Sequence, residues 1–262
     1  MWDTPYGALS MPGFDPHLVL AAAAVTLLAS VVKGAVGFAM PMIMISGLAS
    51  FLPAHTALAA LILPTLVTNL IQSLRDGLPA ALESVRDFRV LILTTCIMIA
   101  LSAQLVPSIP QALLLAALGL PVVAFAASQL AGWQARFDAR HRTRAELAAG
   151  LVGGFYGGLS GIWGPPLVAL LVSLDVPRRQ NMRIQGVVYL IGAAVLFAAH
   201  LGSGVLNRTT LPLSALLVLP ALAGLWLGLR LQDRLDQQRF RRWTLVVLML
   251  TGLNLVRRAA FS

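Results

Sequence analysis

From Val90 to Ala135 the chain carries no Asp, Glu, Lys or Arg. A run of that length accommodates two apolar helices of about 20 residues, the length that crosses a hydrocarbon core of about 30 Å. Leu18–Val32 is a second uncharged run. Only 11% of the 262 residues are charged and 58% are hydrophobic, against about 25% charged in ordinary soluble domains. The chain reads as ten apolar segments, near 17–33, 37–52, 54–74, 88–107, 110–131, 146–158, 161–175, 180–201, 211–229 and 240–256. None shows the strict alternation of barrel strands, so the assignment is helical. The fold class expected is an all-α polytopic membrane protein with about 8–10 membrane segments.

Four of these segments, the first, second, sixth and seventh, read as short, and glycine joins them in pairs. The joins are Lys33-Gly34-Ala35-Val36-Gly37-Phe38-Ala39-Met40-Pro41 and Gly157-Gly158-Leu159-Ser160-Gly161-Ile162-Trp163-Gly164-Pro165-Pro166. An offset of 124 residues places Gly34 on Gly158, Gly37 on Gly161, Pro41 on Pro165 and Pro53 on Pro177. Leu27/Leu151, Leu66/Leu190, Leu93/Leu217, Leu101/Leu225 and Leu105/Leu229 follow without a gap. The leucines are cheap matches in so leucine-rich a chain. The glycines and prolines are not, because each constrains backbone shape. The chain therefore divides into a half at 1–132, a linker at 133–145 and a second half at 146–262.

Charge orients the halves. The net charge is +9, from 18 Arg and one Lys against 10 acidic residues. On a soluble chain this would raise nucleic acid as a partner; beside apolar spans it is the positive-inside signal, and no nucleic-acid partner is expected. Arg136, Arg140, Arg142 and Arg144 place the linker in the cytoplasm. Arg178/Arg179/Arg183, the group Arg230, Arg234, Arg239, Arg241 and Arg242, and Arg75, Arg86 and Arg89 mark further cytoplasmic loops. The N-terminus, Val106–Pro110 and the turn near Pro53 carry no Lys or Arg and belong outside. The halves then have opposite orientation, two inverted repeats with broken or re-entrant helix pairs, in a bacterial inner membrane. Arg257 and Arg258 fall outside, against the rule.

The sequence shows neither a metal site nor a cofactor motif. His17, His55, His141 and His200 are far apart, and Cys96 is the sole cysteine. The first 15 residues lack a basic n-region and contain Asp3 and Asp15, so no cleavable signal peptide is expected. Partners reduce to the lipid bilayer and a small ligand, with homo-oligomer formation left open.

A helix broken inside a bilayer frees N–H and C=O groups that must be satisfied or meet a ligand. Paired, interrupted short segments in two inverted halves mark a transporter binding site, and the N-terminus of a half-helix suits an anion. The candidate substrate residues are Lys33, Gly34, Gly37, Phe38, Ala39, Met40 and Pro41 in the first join, and Gly158, Ser160, Gly161, Ile162, Trp163, Gly164 and Pro165 in the second. The glycines also fit close helix packing. Lys33 neutralises an anion or snorkels from a helix end. Asn69 and Gln72 share a helix face, as do Asn181, Gln185 and Tyr189; either set faces the cavity or bonds between helices.

The paired G-x-x-G…P segments, the two halves, the length and the Gly-Leu-Ser-Gly-Ile-Trp-Gly-Pro-Pro run followed by Asp175-Val176-Pro177-Arg178 resemble the sulfite exporter TauE/SafE family, also called the toluene sulfonate uptake permease family. Pro165-Pro166 replaces part of a motif that is usually richer in glycine there. The resemblance implies a transporter for small sulfur-containing anions such as sulfite and sulfonates, or other organic acids, without choosing the anion. Two other classes stand against it: an intramembrane serine protease using Ser160 of the Gly158-Leu159-Ser160-Gly161 string with His200, and an anion channel.

Overall fold

The computed structural model describes residues 15–133, 139–231 and 237–261. Expectations for residues 1–14, for Arg136 in the linker and for Arg234 lie outside the described residues. So do the side chains of Arg178, Arg179 and Arg241. The described residues form helices and no strand: α1 Pro16–Val36, α2 Met40–Leu48, α3 Ala54–Ser73, α4 Leu78–Asp87, α5 Arg89–Ala103, α6 Gln111–Leu130, α7 Arg142–Ser160, α8 Gly164–Ser173, α9 Arg178–Gly202, α10 Thr210–Leu216, α11 Val218–Leu231 and α12 Gln237–Ala260. Among the described residues seven helical spans are long and apolar enough to cross a membrane. Leucines such as Leu28, Leu93, Leu113 and Leu219 stay exposed, as lipid-facing side chains do.

The expectation of four short segments is corrected for two of them. Gly34–Val36 and Gly157–Ser160 remain helical, so α1 and α7 have 21 and 19 residues and rise about 31 and 28 Å. Of the four, α2 and α8 are short, at 9 and 10 residues. The chain turns at Gly37 (φ 89°) and Gly161 (φ 73°), a left-handed conformation that favours glycine. Each of these N–H groups closes the helix before it, Gly37 onto the Lys33 carbonyl and Gly161 onto the Gly157 carbonyl, both at 2.7 Å.

Sequence reading missed two elements. Helix α4 was hidden because it is amphipathic, with Glu83, Arg86 and Asp87 among its residues. The 211–229 run splits at Leu217 into α10 and α11. Both new helices brace the other half. Arg183 of α9 donates to Ser84 Oγ (3.1 Å) and pairs with Glu83 (3.4 Å). Ser214 of α10 donates to the Ala60 carbonyl (3.2 Å), the group that Pro64 within α3 leaves without its helical N–H.

Main contacts run between the halves: α1 on α11, α7 on α5, α3 on α9 and α6 on α12. Glycine lets the first two pairs approach closely. A Cβ at Gly228 would stand 2.2 Å from the Val31 carbonyl oxygen, and one at Gly154 2.5 Å from that of Thr95. At the α4–α5 corner, buried Glu146 accepts the Leu91 N–H (3.3 Å) and the Arg142 Nε (2.8 Å). It caps α5 from another helix. Glu146→Ala strands the Leu91 N–H and leaves Arg142 with the Asp87 carbonyl (2.7 Å) and the Phe88 ring, so thermal unfolding in detergent should show a loss of about 1–3 kcal/mol, while Glu146→Gln, which keeps an acceptor, should lose less. The C-terminal arginines that broke the charge rule also have a structural use: Arg258 donates to the Ala49 carbonyl, capping the end of α2, and Arg257 donates to Asn254.

Candidate functional site

The two breaks meet. One cavity of about 30 Å³ is lined by Lys33, Phe38, Ala39, Pro41 and Met42 of the first half and by Gly161–Gly164 and Tyr189 of the second, with Thr65 and Asn69 of α3. That space holds about two waters. Both half-helices begin at its wall, and neither α2 nor α8 has a side-chain N-cap. Their first-turn N–H groups add partial positive charge. Ala39, at the start of α2, holds φ 77° without being glycine, a strain of the kind that collects at functional sites.

Lys33 is 2% exposed. Its Nζ donates to Thr68 Oγ1 (3.0 Å) and to Asn69 Oδ1. Thr68 gives its own proton to the Pro64 carbonyl at 2.7 Å, which fixes its oxygen as an acceptor toward the lysine. An ammonium has three donors, so one is left for the cavity. Among the described residues no carboxylate lines that cavity. Three further lining residues, Thr65, Trp163 and Tyr189, have buried polar hydrogens without a protein partner. Buried polar groups are nearly always satisfied. Four residues with such donors line one space, with no acidic residue among its described lining residues, and that composition suits an anion.

The second half contributes differently because its counterpart of Lys33 is Gly157. The Trp163 ring occupies the room there: a Cβ at Gly157 would lie 2.8 Å from its Cε3 and one at Gly192 3.1 Å from Cζ2. Trp163 packs edge-on to Tyr189, with centroids 6.2 Å apart and planes at 72°. Gly164 leaves space for the Tyr189 hydroxyl, 3.0 Å from where its Cβ would stand.

Of the sequence candidates, Lys33, Phe38, Ala39, Pro41, Asn69, Gly161, Ile162, Trp163, Gly164 and Tyr189 line the cavity. Gly37 turns the chain beside it, and Met40 lies behind it with its sulfur accepting from Ser30 (3.4 Å). Gln72 donates to the carbonyls of Gly37 (3.1 Å) and Met182 (3.3 Å), holding the first break against α9. Gln185 donates to Asn181. Gly34 and Gly158 face neighbouring helices, α11 and α5. Pro165 lines an adjoining apolar cleft of about 510 Å³ between α6, α7 and α8, which shares Met42 and Ile162 with the first. Ser160 Oγ donates to the Tyr156 carbonyl (2.7 Å) and accepts the Ile162 N–H (3.1 Å), while His200 meets the Gly158 carbonyl (3.1 Å) and Ser203 (3.2 Å). Both side chains of the protease reading are thus engaged elsewhere. Thr65, Thr68 and Met42 escaped sequence reading. Thr65, Thr68, Asn69 and Gln72 recur at helical spacing on α3, and that polar stripe was the available signal.

The chain matches the family model described as Sulfite exporter TauE/SafE over residues 22–255. It belongs to that family. Family membership and the seven apolar spans make it a multi-pass membrane protein of a transporter family. The match covers both breaks and every residue that lines the cavity. No curated protein and no solved structure matches the chain significantly. Among the described residues no group of three or more His, Cys, Asp or Glu is placed to hold a metal ion.

Proposed function

We propose that this chain is a secondary carrier for a small anion, a sulfur oxyanion such as sulfite or an organosulfonate, bound between the two helix breaks. The observation that carries the reading is the buried Lys33 in a carboxylate-free cavity whose other polar hydrogens, on Thr65, Trp163 and Tyr189, lack partners. A buried cation is costly unless paired, and an anion with several oxygens meets all four donors at once. A small cavity among largely buried residues favours a carrier over an open channel.

Two inverted repeats give the carrier its moving parts. At the 124-residue offset Val36 matches Ser160, Met40 matches Gly164 and Ala54 matches Arg178, so α1 ends with α7, α2 begins with α8 and α3 begins with α9. The contacts exchange partners in the same way, α1 with α11 against α7 with α5. These correspondences support halves at 1–132 and 146–262, with one half rocking against the other for alternating access; the arginines of the 133–145 linker support its cytoplasmic side, and the lack of Lys and Arg in residues 1–15 supports an outside N-terminus.

Purified protein in liposomes should move at least one sulfur oxyanion, sulfonate or short carboxylate down an imposed gradient. Movement of none of them would remove the reading. Thr65→Val, Trp163→Phe and Tyr189→Phe each delete one donor while preserving most of the shape, and each should weaken anion binding by about 5- to 30-fold, the worth of one hydrogen bond to a charged group at about 1–2 kcal/mol. Binding to these variants within twofold of wild type would show that the donors do not meet the anion.

A further inference from the structure

We infer that Lys33 carries a proton with the anion, so that loading the site takes up one H⁺ and emptying it releases one; the inference rests on the anion-carrier reading above. The geometry is that of a group held equally well in two protonation states. Both protein partners of Nζ, Thr68 Oγ1 and Asn69 Oδ1, act as acceptors toward it. A neutral amine has two N–H groups and one lone pair, so it keeps both bonds unchanged. Only the third position differs: an N–H when an anion faces it, a lone pair when the cavity is empty. Among the described residues no carboxylate lines the cavity to hold the third proton in the anion's absence, and a charge left alone in so buried a place is strongly unfavourable.

The composition points the same way. The chain has 18 arginines and one lysine. Arginine does not lose its proton in proteins, whereas buried lysine does so readily. Among the lysines and arginines, the one able to lose its proton stands in the cavity.

Other titratable or charged groups near Lys33 have other engagements. Helices α2 and α8 bring none. In α3 the only one is His55, which meets the Val106 carbonyl. From α9, Arg183 pairs with Glu83, His200 meets the Gly158 carbonyl, and Tyr189 shares the cavity. Arg230 of α11 lies over Trp226 at 3.7 Å, and on α12 Arg257 and Arg258 bond to Asn254 and the Ala49 carbonyl.

The cycle balances. On one side A⁻ and H⁺ combine with the Lys33 amine to give the ammonium–anion pair. On the other side both leave, and the empty carrier returns with a neutral amine. A monoanion and a proton cross together, in the same direction, without net charge.

Calorimetric titration of the purified full chain with methanesulfonate or sulfate, whose charges are constant from pH 6.5 to 9, tests this in two buffers of different ionisation enthalpy. Wild type should take up about one proton per anion where the empty site is neutral, and its affinity there should fall about tenfold per pH unit. Lys33→Arg should take up none and bind with a flat pH profile. Tyr189→Phe should retain the wild-type proton count despite its weaker binding. Wild-type binding without proton uptake at any pH overturns the inference while leaving the anion site standing; so does uptake that persists in Lys33→Arg or disappears in Tyr189→Phe. If Lys33→Arg does not fold, the wild-type proton count decides alone. Binding of neither probe at any pH overturns the site reading, and the inference with it.

Discussion

Lys33→Met is expected to abolish anion-dependent stabilisation of the protein while leaving its melting temperature without anion nearly unchanged. The two halves of that result have separate causes. Methionine matches the length and apolar character of the lysine stem, which is fully packed, and long unbranched hydrophobes adapt to irregular gaps. It introduces no buried charge. The lost bond to Thr68 is cheap, because the Thr68 hydroxyl still donates to the Pro64 carbonyl. The bond to Asn69 costs about 1 kcal/mol. Anion binding loses far more. Removing the charged partner from a buried, hydrogen-bonded ion pair costs about 2–5 kcal/mol, or roughly 30- to several-thousand-fold in affinity. Ligand stabilisation scales as RT ln(1 + [L]/Kd), so an anion concentration that stabilises wild type should leave Lys33→Met unshifted. A shift equal to wild type would mean that the anion does not meet Lys33. A collapse without anion would mean that the lysine serves the fold.

The spans were legible in the sequence because membrane insertion is decided by local composition. The uncharged runs around Leu18–Val32 and Val90–Ala135 became α1, α5 and α6. Helix α4 was not legible, since its stability comes from lying against α9 rather than from its own hydrophobicity. The breaks were legible because glycine and proline announce backbone shape before any tertiary contact forms. Their division of labour was not. Gly34 and Gly37 are the same residue type three positions apart, and Gly158 and Gly161 repeat the pair; the first of each lets helices touch, and the second turns the chain. That Lys33 is held inside the protein rather than snorkelling depends on Thr68 and Asn69, which lie 35 and 36 residues away. Thr65 was overlooked because threonine in an apolar helix ordinarily bonds to its own backbone, and only the folded structure leaves its hydroxyl without a partner.

The close helix pairs give the largest expected effect on folding. A Cβ at Gly228 would stand 2.2 Å from the Val31 carbonyl oxygen and 2.8 Å from the Gly34 Cα, so a side chain there meets backbone, which has no rotamer in which to yield. The same holds across α5 and α7, where a Cβ at Gly154 would lie 2.5 Å from the Thr95 carbonyl oxygen and 2.9 Å from its Cα. Overpacking against side chains costs about 1–3 kcal/mol. Here whole helices must separate, and every van der Waals contact along the pair weakens together. Lipid supplies no compensating hydrophobic drive, because association within the membrane rests on that packing. Gly228→Leu and Gly154→Leu should therefore yield little or no monodisperse protein on size-exclusion chromatography in mild detergent. Gly202 is the control. It ends α9 with nothing within 4 Å of its would-be Cβ, so Gly202→Ala should fold and gain about 0.5–1 kcal/mol from helix propensity. If Gly228→Leu and Gly154→Leu elute as wild type does, α1–α11 and α5–α7 do not pack this closely, and the exchange of partners between the halves loses its support. If both fail while Gly202→Ala behaves, the small residues at Gly34 and Gly158 are accounted for by packing alone. The anion site then begins at Gly37 and Gly161, where the chain leaves the helix.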